Sequence, residues 1–206
     1  MALKVPVKVS GVSNLSDARY CAGMGVHWLG FSIKPDGPNY CSPEQFQEIA
    51  SWVEGVSHVA EAHDMSIEAI EAAVAQYAVQ VIEVNQVEVI MALPATDLPI
   101  FYSIELNAHT NIAELTTTME QVSHRVAHFV VQGEAPQPLV QEVLQLASHF
   151  PILLGSGIEA ETVEATIDQH AVKGLALRGS DEIKPGYKDY DGLAEVFEAI
   201  EKEEWE

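Results

Sequence analysis

Acidic and imidazole side chains follow three consecutive predicted strands. They lie in the runs Glu61-Ala62-His63-Asp64, Glu83-Val84-Asn85 and Glu105-Leu106-Asn107-Ala108-His109. Carboxylates crowded at one edge of a sheet raise each other's pKa and could act as acid and base, or hold a divalent cation together with His63 or His109. The simpler interpretation is that an acidic protein places acids on its loops and that these side chains point outward, and we expect this second arrangement.

Two later loops combine glycine, serine and one arginine. The first is Gly155-Ser156-Gly157-Ile158, before a helix that begins near Glu161, and the second begins at Arg178 and runs through Gly179 and Ser180. Backbone N–H groups in such turns can point at an anion, and a guanidinium can bind it through two parallel hydrogen bonds. We therefore predict a phosphate site at Ser156, Gly157, Arg178, Gly179 and Ser180. The alternative is that the glycines only form a tight turn and Arg178 pairs with a surface acid.

Eight short apolar segments alternate with amphipathic stretches, a pattern typical of βα units and a parallel sheet. The predicted strands are residues 4–9, 28–33, 58–62, 79–84, 99–104, 128–131, 152–154 and 174–177. Eight such units predict an α/β fold of the single-domain (β/α)8 TIM-barrel class over residues 1–206, in which the loops after strands seven and eight commonly bind phosphate. A doubly wound open sheet would carry a glycine-rich phosphate loop after its first strand, and Val9-Ser10-Gly11-Val12 lacks that pattern.

The helices between these strands are predicted from apolar residues on one face and from capping residues at their starts. Asn14 and Ser42 are the expected caps of the first two helices. The predicted helices are residues 16–24, 43–53, 66–76, 112–121, 137–148, 160–169 and 192–202, and residues 84–92 give the weakest helical pattern.

Composition excludes several classes of protein. Ten basic residues against 31 acidic residues give a formal net charge of −21, which repels a nucleic-acid backbone and predicts a solvated acidic surface. The sequence contains no apolar run of the length that a membrane span requires, so no membrane partner is expected. Two cysteines in unlike contexts predict neither a disulfide framework nor a zinc site, and the absence of a leader pattern at the N-terminus makes a cytoplasmic location the expectation.

The order of several motifs resembles the phosphoribosylanthranilate isomerase family. The motifs come from the first and last quarters of the chain, and between them only the strand rhythm matches. They are Lys8-Val9-Ser10-Gly11-Val12-Ser13-Asn14-Leu15-Ser16-Asp17-Ala18, Gly30-Phe31, Pro35, Tyr40-Cys41-Ser42-Pro43-Glu44, Leu154-Gly155-Ser156-Gly157-Ile158 and Lys184-Pro185-Gly186-Tyr187-Lys188-Asp189. The resemblance implies an intramolecular Amadori rearrangement of a ribosylamine phosphate in tryptophan biosynthesis, without a cofactor. It also implies a general base, a Cys at the end of strand one, and a general acid, an Asp at the end of strand six.

The chain departs from the family pattern at three positions. Ser10 stands where the family has its Cys, and a hydroxyl loses its proton far less readily than a thiol, so Ser10 would need a partner base. Gln132 stands at the position of the acid, and an amide has no titrating proton to give. Asn39 stands where the family carries an Arg that resembles a clamp for the anthranilate carboxylate, and Asn39 cannot bind a carboxylate in the same bidentate way.

Three hypotheses follow from these features, and the sequence leaves open whether the chain is an enzyme. The first is a divergent member of the family that binds a phosphorylated sugar or metabolite and has lost or altered its catalysis. The second is a non-catalytic barrel that binds a phosphometabolite or a protein. The third is new acid–base or metal chemistry at Glu61, His63, Glu83 and Glu105. The sequence predicts no oligomeric state.

Overall fold

Eight parallel strands close into a barrel in chain order, with each strand hydrogen-bonded to the next and β8 to β1. The structure is a computed structural model that describes residues 2–94, 97–179, 182–184, 187–188 and 191–202. The strands are β1 Val7–Ser10, β2 Trp28–Ser32, β3 Ser57–Glu61, β4 Val81–Val84, β5 Ile100–Glu105, β6 His128–Gln132, β7 Ile152–Leu154 and β8 Gly174–Arg178. The predicted (β/α)8 barrel and its eight strands are confirmed.

Helices connect the strands in the predicted order. They are α1 Leu15–Gly23, α2 Pro43–Ala50, α3 Ile67–Val74, α4 Val87–Ala92, α5 Ile112–Val122, α6 Gln137–Leu146, α7 Ala160–Gln169 and α8 Asp191–Ala199. The predicted caps Asn14 and Ser42 accept hydrogen bonds from the backbone N–H groups of Asp17 and Gln45. None of the helices in the described ranges is long and apolar enough to cross a membrane.

Some boundaries differ from the sequence-based ones. β1 begins at Val7 and not at Lys4, because the chain before it pairs with the C-terminal segment: the Lys4 N–H donates to the Ile200 carbonyl, and Leu3 forms an antiparallel bridge with Glu201. A short antiparallel hairpin, β9 Glu182–Lys184 and β10 Tyr187–Lys188, lies between β8 and α8, and the sequence analysis did not predict it.

Alternation along the strands divides the apolar residues into two layers. One layer lies between barrel and helices and includes Val7, Val9, Leu29, Phe31, Ala60 and Ile82. The other fills the barrel interior near the amino ends of the strands, with Val59, Val81, Phe101, Val130, Leu153 and Ala176 packed together against Trp28.

The residues two positions further along the same strands face the same interior, because side chains alternate between the faces of a strand. Above the apolar layer this interior becomes polar. From β3 to β6 these upper positions are Glu61, Glu83, Ser103 and Gln132. The barrel therefore has a dry, apolar lower half and a polar upper half at the carboxyl ends of its strands, the end at which such barrels carry their sites.

Candidate functional site

A buried lysine lies at the centre of the polar half. Lys8 is 0% exposed, and its ammonium nitrogen lies 2.6 Å from Ser10 Oγ, 2.6 Å from Glu61 Oε1 and 2.9 Å from Glu83 Oε2. Its neighbours Val7 and Val9 belong to the outer layer, so alternation along β1 directs Lys8 inward. Glu61 and Glu83 are register partners on β3 and β4, which brings both carboxylates to one level. We call Lys8, Ser10, Glu61 and Glu83 the buried cluster.

Each charge in the buried cluster depends on the others. Burial alone would lower the pKa of Lys8, but the adjacent Glu61 and Glu83 carboxylates outweigh burial and raise it, so the amine remains an ammonium at neutral pH. Burial alone would raise the pKa of Glu83, but the Lys8 ammonium and a hydrogen bond from His63 lower it to about 2. Lys8 is therefore a hydrogen-bond donor to its neighbours and cannot act as their base.

His63 extends the buried cluster towards solvent. Its Nε2 lies 3.0 Å from Glu83 Oε1, and its side chain is 26% exposed. Burial alone would lower the pKa of this imidazole, and the hydrogen bond and charge of Glu83 outweigh that effect and raise it. The imidazole is thus a titrating group beside the buried Glu83 carboxylate, at the border with solvent.

Glycine on β2 makes room for the cluster. A Cβ on Gly30 would lie 2.1 Å from Glu61 Oε1 and 3.2 Å from Lys8 Nζ, so a larger residue would displace the carboxylate. The other oxygen of Glu61 accepts a hydrogen bond of 3.2 Å from the Gly11 N–H. Glu61 is held at both oxygens.

The expectation that the strand-end acids point outward is wrong for Glu61 and Glu83, which alternation turns into the barrel. Glu105 is exposed and lies at the mouth of the barrel, and His109 is exposed on the loop after β5. Among the described residues, no group of three or more His, Cys, Asp or Glu side chains is placed to hold a metal ion. The Lys8 ammonium lies where a cation shared by Glu61 and Glu83 would lie.

A cavity of about 610 Å³ opens between β5, β6, β7, β8 and α8, and we call it the first cavity. Glu105 and Glu134 line it on the side of β5 and β6, whereas Gly155 and Arg178 line it on the side of β7 and β8. Its charge is therefore polarised, and an anion would be favoured at the Arg178 side.

The predicted phosphate residues are only partly assembled at this cavity. Ser156 is buried and its hydroxyl donates to the Gly133 carbonyl at 2.7 Å, so that proton is engaged within the protein. Gly157 is exposed, with a positive φ of 67° that favours glycine, and it precedes the first turn of α7. Gly179 follows Arg178 directly and is half-buried, and Ser180 lies outside the described residues.

A second cavity of about 260 Å³ lies over β1, β2 and β3, and we call it the second cavity. Asn39, Glu61 and His63 line it, and Arg178 lines it as well as the first cavity. Arg178 is therefore a lining residue common to the two cavities.

Comparison with known proteins identifies the family. The family model described as "N-(5'phosphoribosyl)anthranilate (PRA) isomerase" matches residues 7–199. The chain belongs to the phosphoribosylanthranilate isomerase family.

Individual relatives are distant in sequence and similar in fold. The chain is 24% identical to an N-(5'-phosphoribosyl)anthranilate isomerase of Gloeothece citriformis, a match that covers 95% of this chain and 94% of the relative. The crystal structure of phosphoribosyl anthranilate isomerase from Thermotoga maritima superposes with a TM-score of 0.75 at 20% identity, over 95% of this chain and 98% of that chain. A further structure, with a TM-score of 0.72, 21% identity and the same coverage of both chains, is a complex of such an isomerase with reduced 1-(o-carboxyphenylamino)-1-deoxyribulose 5-phosphate.

The three positions that the sequence predicts to depart from the family pattern all lie at this end of the barrel. Ser10 is buried, and the partner that the structure gives it is the Lys8 ammonium, which donates to its oxygen. Gln132 lines the first cavity and its Nε2 donates to Ser103 Oγ at 3.1 Å. Asn39 is exposed, adopts a left-handed φ of 55° and lines the second cavity.

The sequence analysis missed Lys8 as a site residue and read it only as part of a motif. Alternation along β1 could have found it. Side chains of a strand point alternately to its two faces, so a lysine between Val7 and Val9 faces the side opposite to them, in a strand that is buried on both faces. By the same alternation, Glu61 and Glu83 lie two positions after Val59 and Val81 and face the barrel interior as those valines do.

We predict that Lys8→Met lowers the free energy of unfolding by about 3–5 kcal/mol at pH 7, because it leaves two buried carboxylates without their cation. In the parent protein the Glu83 contribution is complete above the unfolded pKa of 4.5 and is lost as the pH falls towards about 2. In Lys8→Met the folded pKa of Glu83 rises, so the two proteins should approach each other in stability on acidification.

Urea unfolding from pH 7 to pH 4 measures this difference. The control is Lys8→Met combined with Glu61→Gln and Glu83→Gln, which should recover most of the loss because the unpaired charges are gone. A loss below about 1 kcal/mol for Lys8→Met, or no recovery in the control, would contradict the assignment of the buried cluster.

Proposed function

We propose that this member of the isomerase family binds a phosphorylated sugar at its β7 and β8 loops and does not isomerise phosphoribosylanthranilate by the thiol and carboxylic acid route of the family. One observation carries the proposal. The side chain at the position of the family base is a hydroxyl that accepts a hydrogen bond from the Lys8 ammonium. A neighbouring cation that keeps its proton cannot take one from Ser10, so the hydroxyl lacks the partner base that it would need.

The position of the acid supports the same proposal. The Gln132 amide is engaged with Ser103 and has no proton that titrates. The family pattern therefore loses its base and its acid at two separate strand ends, and at Asn39 it also loses the arginine that resembles a clamp for a carboxylate. Phosphoribosylanthranilate bound here would contact neither the base and acid of the family nor the arginine.

Binding of the phosphate has its own support. The charge of the first cavity is polarised, with Arg178 and the Gly155 turn on one side and Glu105 and Glu134 on the other. Glycine without a Cβ lets backbone amides approach an anion, and the turn leads into the N-terminus of α7. A related isomerase structure holds a phosphorylated substrate analogue. A phosphate beside Arg178 would direct sugar hydroxyls towards the acidic side, which can accept their hydrogen bonds.

Turnover is the first test. Conversion of phosphoribosylanthranilate, followed by the loss of its fluorescence at high protein concentration, should not exceed the rate without protein. The matched control is Ser10→Ala, which should behave like the parent. Turnover by the parent that Ser10→Ala abolishes would show a serine-based route and would overturn the catalytic half of the proposal.

Ribose 5-phosphate tests the binding half, with the thermal midpoint as the measurement. Millimolar ribose 5-phosphate should raise the midpoint of the parent protein, because a ligand that binds only the folded state stabilises it. Arg178→Ala should weaken the apparent Kd about tenfold or more, the loss expected when a hydrogen bond to a charged group is removed.

Arg19→Ala is the control for charge, since Arg19 is exposed on α1 and its removal changes the net charge equally. This variant should keep the full shift. No shift in the parent protein, or equal shifts in the parent and Arg178→Ala, would contradict a phosphate site at Arg178.

A further inference from the structure

His63 joins the second cavity to the buried cluster. Its imidazole lines the cavity, and its Nε2 is hydrogen-bonded to Glu83, whose own side chain is fully buried and paired with Lys8. The hydrogen bond to a fixed carboxylate orients the ring, as in the dyads of enzymes that use histidine as acid or base. The ring nitrogen left for exchange with a ligand is Nδ1.

The charge balance of the cluster favours a proton on His63. Lys8 contributes one positive charge against the two carboxylates of Glu61 and Glu83, so one negative charge is left in a poorly solvated interior. A protonated His63 balances that charge at contact distance.

The other charged groups that line the second cavity change this balance little. Lys34 Nζ and Asp64 Oδ2 lie 4.0 Å apart and largely offset each other. Arg178 also lines the cavity, and its positive charge opposes a proton on His63, but it is not among the groups that shift the His63 pKa. The carboxylates therefore raise the pKa of the His63 imidazole and favour its proton-donating form, which exchanges its proton with solvent.

The charged members of the buried cluster cannot exchange protons with a ligand in this way. The Lys8 ammonium is fully buried and surrounded by three oxygen atoms. Glu61 lines the second cavity, but both of its oxygens accept hydrogen bonds, one from Lys8 and one from the Gly11 N–H. His63, next to the cluster, combines a titrating nitrogen with access to the cavity.

We propose that His63, oriented by Glu83, is a catalytic general acid of the second cavity and opens the ring of a cyclic sugar phosphate. This inference rests on the proposed function, because it needs the phosphate to be held at Arg178. Since Arg178 lines both cavities, a ligand with its phosphate at this guanidinium can place its sugar ring in the second cavity.

The step transfers protons only. His63 Nδ1–H donates its proton to the ring oxygen as the bond between that oxygen and the anomeric carbon breaks. The proton of the anomeric hydroxyl leaves to water as the carbonyl forms, and the imidazole regains a proton from water. No atom is oxidised or reduced, so the step needs no redox partner. Reversal on either face of the carbonyl interconverts the two anomers.

Exchange between the anomers of ribose 5-phosphate, followed by NMR exchange spectroscopy, measures this step directly. The parent protein should accelerate exchange over the rate without protein, with the acceleration falling as the pH rises through the raised pKa of His63. His63→Gln keeps a hydrogen-bond donor for Glu83 but cannot titrate, and it should lose about tenfold or more of the acceleration and all of its pH dependence. His109→Gln, at an exposed imidazole that does not line the second cavity, is the control and should behave like the parent.

Thermal stabilisation by ribose 5-phosphate, recorded on the same samples, separates the possible failures. Stabilisation of the parent protein without acceleration, or equal acceleration by His63→Gln and the parent, overturns the role of His63 and leaves the phosphate site standing. A parent protein that is not stabilised by ribose 5-phosphate overturns the proposed function and this inference together. Stabilisation that is unchanged in His63→Gln, joined to lost acceleration, supports a catalytic and not a binding role.

Discussion

The ion pairs between Lys8 and the carboxylates of Glu61 and Glu83 are the interaction on which this end of the barrel depends. Three charged side chains are buried in the upper half of the barrel, and the two carboxylates compensate the desolvation of the Lys8 ammonium between them. The arrangement requires an inward lysine on β1, register partners on β3 and β4, and a glycine at position 30 that leaves space for the Glu61 carboxylate. Each requirement therefore restricts which residue types can occupy these positions.

The charged residues of the buried cluster affect the protonation of their neighbours Ser10 and His63. By keeping Lys8 protonated, the carboxylates make the neighbour of Ser10 a hydrogen-bond donor and not a base. By carrying one excess negative charge, the same carboxylates favour a protonated His63 at the border of the second cavity. In the proposed function, proton transfer therefore depends on the His63 imidazole on the loop after β3 and not on the strand ends of β1 and β6. Arg178 lines both cavities.

Periodicity in the sequence was sufficient to predict the barrel, because buried parallel strands and amphipathic helices alternate with few interruptions. Periodicity gave the wrong boundary where pairing partners are distant in sequence. Residues 4–6 were predicted to begin β1, yet the Lys4 N–H donates a hydrogen bond to the Ile200 carbonyl near the other end of the chain. The loop glycines and Arg178 could be placed from the order of the strands alone. The inward direction of Glu61 and Glu83 could not be settled by composition, since acids are ordinarily exposed, and required alternation to be counted from Val59 and Val81. Their partnership with Lys8 depends on barrel closure, which brings together residues 53 positions apart.

The ionisation of Glu83 tests this account most directly. Carbon-13 NMR of the side-chain carboxyl, assigned by its loss in Glu83→Gln, can be followed as the pH is lowered over the range in which the protein stays folded. A carboxylate held by Lys8 and His63 should remain ionised through pH 4.5 and approach protonation only near its lowered pKa of about 2. A carboxyl that titrates at or above 4.5 would show that Lys8 does not hold it in the charged state, and the charge arrangement from which the roles of Ser10 and His63 are argued would be wrong.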